Sequence, residues 1–122
     1  MSDEFLRIAR QEIQTEIDNL KDIFLICAND EQLYEKSTDI EKHMHKIKGL
    51  APMMGQEKVG EIARISDIIL KHVTSQGMLK GSHDIILSAV QKMSDIFSGQ
   101  VGVEIDNFKK IVKDAYSQIL EL

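Results

Sequence analysis

The sequence predicts an all-α fold. Apolar residues recur at steps of three and four along most of the chain, the period of a helix with one buried face. The strict alternation of a half-buried strand is absent. One proline and seven glycines among 122 residues leave long uninterrupted stretches. Five such stretches joined by short connections predict an antiparallel up-down four-helix bundle with an additional C-terminal fifth helix. The bundle helices are expected at about 3–28, 31–53, 56–76 and 82–98, and the extra helix at about 104–121. One domain covers residues 1–122.

Ser2-Asp3-Glu4 opens the first helix. Ser2 or Asp3 is the expected cap, and the acids suit the positive helix end. Its core stripe reads Leu6, Ala9, Ile13, Ile17, Leu20, Phe24 and Cys27. Asn29-Asp30-Glu31 breaks the pattern, and Asn29 or Asp30 caps the second helix. That helix buries Leu33, Ile40, Met44, Ile47, Ala51 and Met54. Pro52 lacks an N–H and disfavours helix at Ala51, so the helix ends or kinks there and Met54-Gly55 makes the turn.

The third helix starts near Gln56 and ends at Gln76-Gly77, a glycine C-cap. Its core stripe is Val59, Ile62, Ile65 or Ser66, Ile69 and Val73. A second stripe reads Gly60, Arg64, Asp67 and Lys71, and local ion pairs would satisfy its charges. Ser82 caps the fourth helix, which carries Ile86, Ala89 or Val90, Met93 and Phe97. After the loop 98–102, the fifth helix presents Ile105, Phe108, Val112, Ala115 and Ile119.

Composition narrows the function. Hydrophobic residues make up 43% of the chain, enough for one core and unlike a disordered segment. Aromatics are 5% with no Trp, which leaves little for stacking on bases. The net charge is −5 and no Lys/Arg cluster stands out, so no nucleic acid and no membrane surface is an expected partner. Cys27 is the only cysteine, which excludes an intrachain disulfide and a cysteine-based zinc site. No signal peptide is visible, and no apolar run approaches the ~20 residues of a membrane span. A reduced, cytoplasmic protein is expected.

Within the second helix, His45 lies off the apolar stripe. Lys48 and Gly49 follow it by three and four residues and share its flank with Glu41 and Pro52. A mid-helix glycine costs about 1 kcal/mol relative to alanine. Beside a histidine it leaves the imidazole edge open to another backbone. Lys48 is a point charge suited to an anion such as phosphate. The same three residues also read as a solvated face with an incidental glycine. No phosphate loop is present, so the chain has no ATP site of that kind. His43, His45, His72 and His83 form no metal set, because His-x-His on a helix splays the two rings apart. No cofactor is implied.

The stretch His45-x-Ile47-Lys48-Gly49-x-Ala51-x-x-Met54-Gly55 resembles the signature of histidine phosphotransfer (HPt) domains. It is closest to the N-terminal phosphotransfer domain of CheA-type chemotaxis histidine kinases. The likeness reaches from Phe5-Leu6-x-x-Ala9-x-x-Glu12 to about Phe97. It implies that His45 accepts a phosphoryl group and passes it to the aspartate of a response-regulator receiver domain in a two-component phosphorelay. A histidine kinase catalytic domain is the implied donor, and the chain itself is a phosphocarrier and not an enzyme. Such chemistry needs a neutral nucleophilic nitrogen, a carboxylate on the other ring nitrogen, and positive charge for the phosphoryl oxygens. The resemblance assigns these roles to His45, Asp67 and Lys48, with Arg64 as a second cation and Lys46 and Gly49 in support. Two positions depart from the family: Asp67 stands where a longer glutamate is usual, and Arg64 where a second histidine is frequent. These departures keep a rival open, a helical module that docks receiver domains without chemistry. The chain is either a free-standing shuttle or the first domain of a longer CheA-type kinase.

Overall fold

The structure, a computed structural model, describes residues 2–120. It contains five α-helices and, among the described residues, no strand. They are α1 (Asp3–Phe24), α2 (Asp30–Leu50), α3 (Glu57–Gln76), α4 (Ser82–Phe97) and α5 (Asp106–Leu120), with a 3-10 turn at Pro52–Met54. The last position expected for the fifth helix, 121, lies outside the described residues. No described helix is long and apolar enough to cross a membrane.

α3 packs against α2, α4 and α5, and α1 packs against α2 and α4. The core takes one stripe from each helix. Ile13, Ile17 and Leu20 of α1 meet Leu33, Ile40, Met44 and Ile47 of α2, Ile62, Ile69 and Val73 of α3, and Ile86, Ala89 and Met93 of α4, all fully buried. Both Ile65 and Ser66 are buried, as are both Ala89 and Val90, so α3 and α4 each bury a wider face than a single stripe.

Several local expectations are corrected. α1 stops at Phe24 and not near 28, and Leu25 and Ile26 are exposed. The start of α2 explains the stop. Asn29 caps the Gln32 N–H at 2.9 Å, and Gln32 in turn accepts the Ala28 N–H at 2.7 Å, a reciprocal arrangement that takes 28 and 29 out of α1. Cys27 is still buried, but from the connection. Leu6 is 36% exposed because it lies at the free start of α1.

α2 ends at Leu50, and the chain turns through Pro52–Met54 to Gly55, which has φ +75°. Ser82 does not cap α4. Its hydroxyl donates to the Leu79 carbonyl, and Asp30 of α2 accepts the N–H groups of Gly81 and His83, both at 2.8 Å. In α5 the buried residues are Phe108, Val112 and Tyr116, and Ala115 is exposed. The backbone departs from helical angles at Tyr116 (φ −133°, ψ 41°), and its hydroxyl donates to the Lys80 carbonyl at 2.6 Å.

Candidate functional site

α2 and α3 share the most extensive helix contact in the molecule, and the sharp turn between them sets their register. Pro52 sits directly over Gly60. A Cβ at Gly60 would come within 2.9 Å of Pro52 Cγ, so the absence of a side chain there lets the turn close onto α3. This register brings Asp67 of α3 beside His45 of α2.

His45 Nδ1 lies 3.2 Å from Asp67 Oδ2. A carboxylate only accepts, so this contact places the ring hydrogen on Nδ1. Among the described residues Nε2 has no hydrogen-bond partner, and the His45 side chain is 56% exposed. Asp67 is 1% exposed. Its Oδ2 also accepts from Lys48 Nζ at 3.1 Å and from Lys71 Nζ at 2.8 Å. Burial alone would raise the Asp67 carboxyl. The neighbouring Glu41 and the hydrogen bonds from Lys71, Lys48 and His45 outweigh it and hold the group well below the usual carboxylate range. Lys71 is raised in turn by its bond to Asp67.

The other sequence candidates lie around this cluster. Gly49 has no atom within 4 Å of where a Cβ would stand, so the surface beside His45 is open. Pro52 is exposed and Met53 is 49% exposed next to it. Arg64 does not join His45 or Asp67. Its guanidinium is held by Glu61 one turn earlier, with Nε 2.8 Å from Oε1, and it lines a shallow cleft with Lys48, Pro52 and Gly60. Lys46 faces the opposite side and reaches Glu16 of α1 at 3.4 Å. Glu16 also holds His43 Nδ1, and with its side chain 19% exposed His43 is much the less accessible of the two histidines.

Two members of the cluster were not assigned from the sequence. Lys71 is four residues after Asp67, and Glu41 is four residues before His45, so both were on the right helical flanks. Lys71 reaches Asp67 from the next turn of the same helix, and the packing of α2 on α3 brings Glu41 to the same carboxylate. Glu41 Oε2 lies 3.8 Å from His45 Nδ1. Glu41, His45 and Asp67 offer ligand atoms within 4.8 Å of one another, close enough to surround a cation. Two ammonium groups already neutralise Asp67 Oδ2 and would repel a divalent ion, so we assign no metal ligands here.

Set beside models of protein families, curated proteins and solved structures, the chain matches none of them.

Proposed function

We propose that the protein is a histidine phosphotransfer domain, with His45 as the phosphoacceptor and a response-regulator receiver domain as the partner that takes the phosphoryl group. The observation that carries this reading is the His45–Asp67 contact at 3.2 Å on an exposed ring. With the hydrogen kept on Nδ1, the Nε2 lone pair is free to attack phosphorus. The N–P bond forms as the donor's bond to phosphorus breaks. Asp67 stabilises the positive charge that develops on the ring, and Lys48 supplies positive charge on the same flank. In the return step a receiver aspartate oxygen attacks phosphorus and His45 leaves as the neutral imidazole.

The helix contacts support α1 to α4 as an antiparallel up-down bundle, with α5 appended on α3. In such a bundle the exposed flank of α2 and α3, with Gly49, Pro52 and Met53, is the docking surface for the receiver. A cytoplasmic histidine kinase catalytic domain, of the CheA chemotaxis type, is the proposed donor.

Phosphoramidate loading tests the reading. Intact mass should show one acid-labile phosphoryl group on the wild type, none on His45→Gln, and rapid loss when a purified receiver domain is added. Equal loading of both proteins, or retention of the group with every receiver tried, would favour the docking module without chemistry.

A further inference from the structure

Two buried oxygens in the His45 cluster lack partners. Asp67 Oδ1 and Glu41 Oε2 are both out of contact with water and neither receives a hydrogen bond from any described group. Both are acceptors if ionised, and they belong to the close set formed by Glu41, His45 and Asp67. Two ionised carboxylates facing each other out of water repel, and each leaves a lone pair unsatisfied. One proton removes both defects, since a carboxylic acid donates through one oxygen.

We propose that Glu41 is a positioning residue of this site: in the conformation seen, it carries a proton and gives it to Asp67 Oδ1, which leaves Oδ2 turned toward His45 Nδ1. The partition follows from the surroundings. Asp67 Oδ2 takes Lys48, Lys71 and His45, so the negative charge stays on Asp67. Beyond Asp67, the titratable and charged groups that face Glu41 are Lys71 on α3 and His45 on its own helix. The neighbouring Asp67 carboxylate, followed by burial, raises the Glu41 carboxyl above its ordinary 4.5. A bridging water in place of the proton would leave Glu41 ionised, with an ordinary titration.

The consequence for phosphotransfer rests on the reading of His45 as phosphoacceptor, while the shared proton does not. Below the Glu41 midpoint, Asp67 is clamped from both oxygens and the Nδ1–H tautomer of His45 is held. As pH rises through that midpoint the bond to Oδ1 is lost, and Asp67 is held toward the His45 ring through Oδ2 alone. The pair titrates as a unit, so the midpoint belongs to both groups.

Carbon-13 NMR of the glutamate side-chain carboxyl, from pH 3 to 8, is the direct test. Glu41 is expected to titrate above 4.5, and to fall back toward 4.5 in Asp67→Asn. Nitrogen-15 spectra of His45 should show the Nδ1–H form in Glu41→Gln, whose amide still donates, and a mixed tautomer in Glu41→Ala. Below the Glu41 midpoint, phosphoramidate loading of Glu41→Ala should drop about tenfold, and Glu41→Gln should restore it. The ratio of wild-type to Glu41→Gln loading should fall as pH rises through the midpoint. A Glu41 midpoint at or below 4.5 overturns the proposal, and so does an unchanged His45 tautomer in Glu41→Ala. If no variant loads phosphate at all, the phosphocarrier reading fails, and the carboxyl titration and the tautomer still decide the role of Glu41.

Discussion

At the scale of single residues, position 49 separates folding from recognition. Gly49 sits inside α2 with nothing within 4 Å of an added Cβ. Gly49→Ala should therefore stabilise the protein, by up to about 1 kcal/mol, because it restores helix propensity without a clash. The same methyl group stands beside His45, on the flank proposed above as the docking surface for a receiver. Transfer to the receiver should slow while the melting temperature rises, which calorimetry and a quench-flow transfer assay would read together. Asp67 behaves in the opposite way. Its ionised form is stabilised by folding, so its contribution is present above its ordinary value of 3.8 and is lost as pH falls below that. Glu41, raised by the neighbouring Asp67 carboxylate, has the reverse sign: its contribution is present below 4.5 and fades as pH rises. Asp67→Asn should cost about 1.5 kcal/mol at pH 7, the low end for a bond to a charged group because Lys48 and Lys71 remain partly in water. Urea midpoints between pH 7 and 2 should then fall less steeply for the variant than for the wild type.

At the scale of elements, the periodic spacing of apolar residues was enough to locate every helix body, since that pattern is local. Helix ends were less legible, because caps are supplied by whatever donor or acceptor lies nearby. Asp30 reads as an N-terminal residue of α2 and acts as the acceptor at the start of α4. The fifth helix shows the same limit. The expected stripe runs through Ala115, whereas the buried residue is Tyr116, four after Val112 and at a point where the backbone leaves helical angles. Burial, and then the nearby Asp30, push the Tyr116 hydroxyl up to about 12 from the usual 10.0. A phenol raised by folding contributes stability below 10 that is lost between 10 and about 12. Tyr116→Phe should cost about 0.5–1.5 kcal/mol, the value of one net hydrogen bond, and should abolish that alkaline loss. Faster amide exchange confined to α5 and the 77–81 loop would mark the effect as local.

For the molecule as a whole, the core joins all five helices. Ile62 of α3 is fully buried at its centre and lies on the helix that contacts α2, α4 and α5. Ile62→Ala should remove about 2–5 kcal/mol, from lost burial and the cavity left behind. It should lower the urea midpoint by about 1–2 M without changing the slope. Loading at His45 in the fraction that stays folded should persist, because Ile62 is not among the groups that bond Asp67 or His45. Such a result would show that the core and the site are separable.

The sequence by itself determined the all-helical class, the approximate helix positions and most of the buried face. Those properties follow from hydrophobic spacing within each segment, and spacing is written in neighbouring residues. It also singled out His45, Lys48 and Asp67. Tertiary structure alone decided which carboxylate meets which histidine: Asp67 reaches His45 and Glu16 reaches His43, although the two rings are two residues apart on one helix. It turned Lys46 toward Glu16 and brought Glu41 to the buried carboxylate. These pairings depend on how α1 and α3 are rotated and shifted against α2. Contacts distributed over the whole core set that register, at Pro52 on Gly60 among others, and no local pattern encodes it.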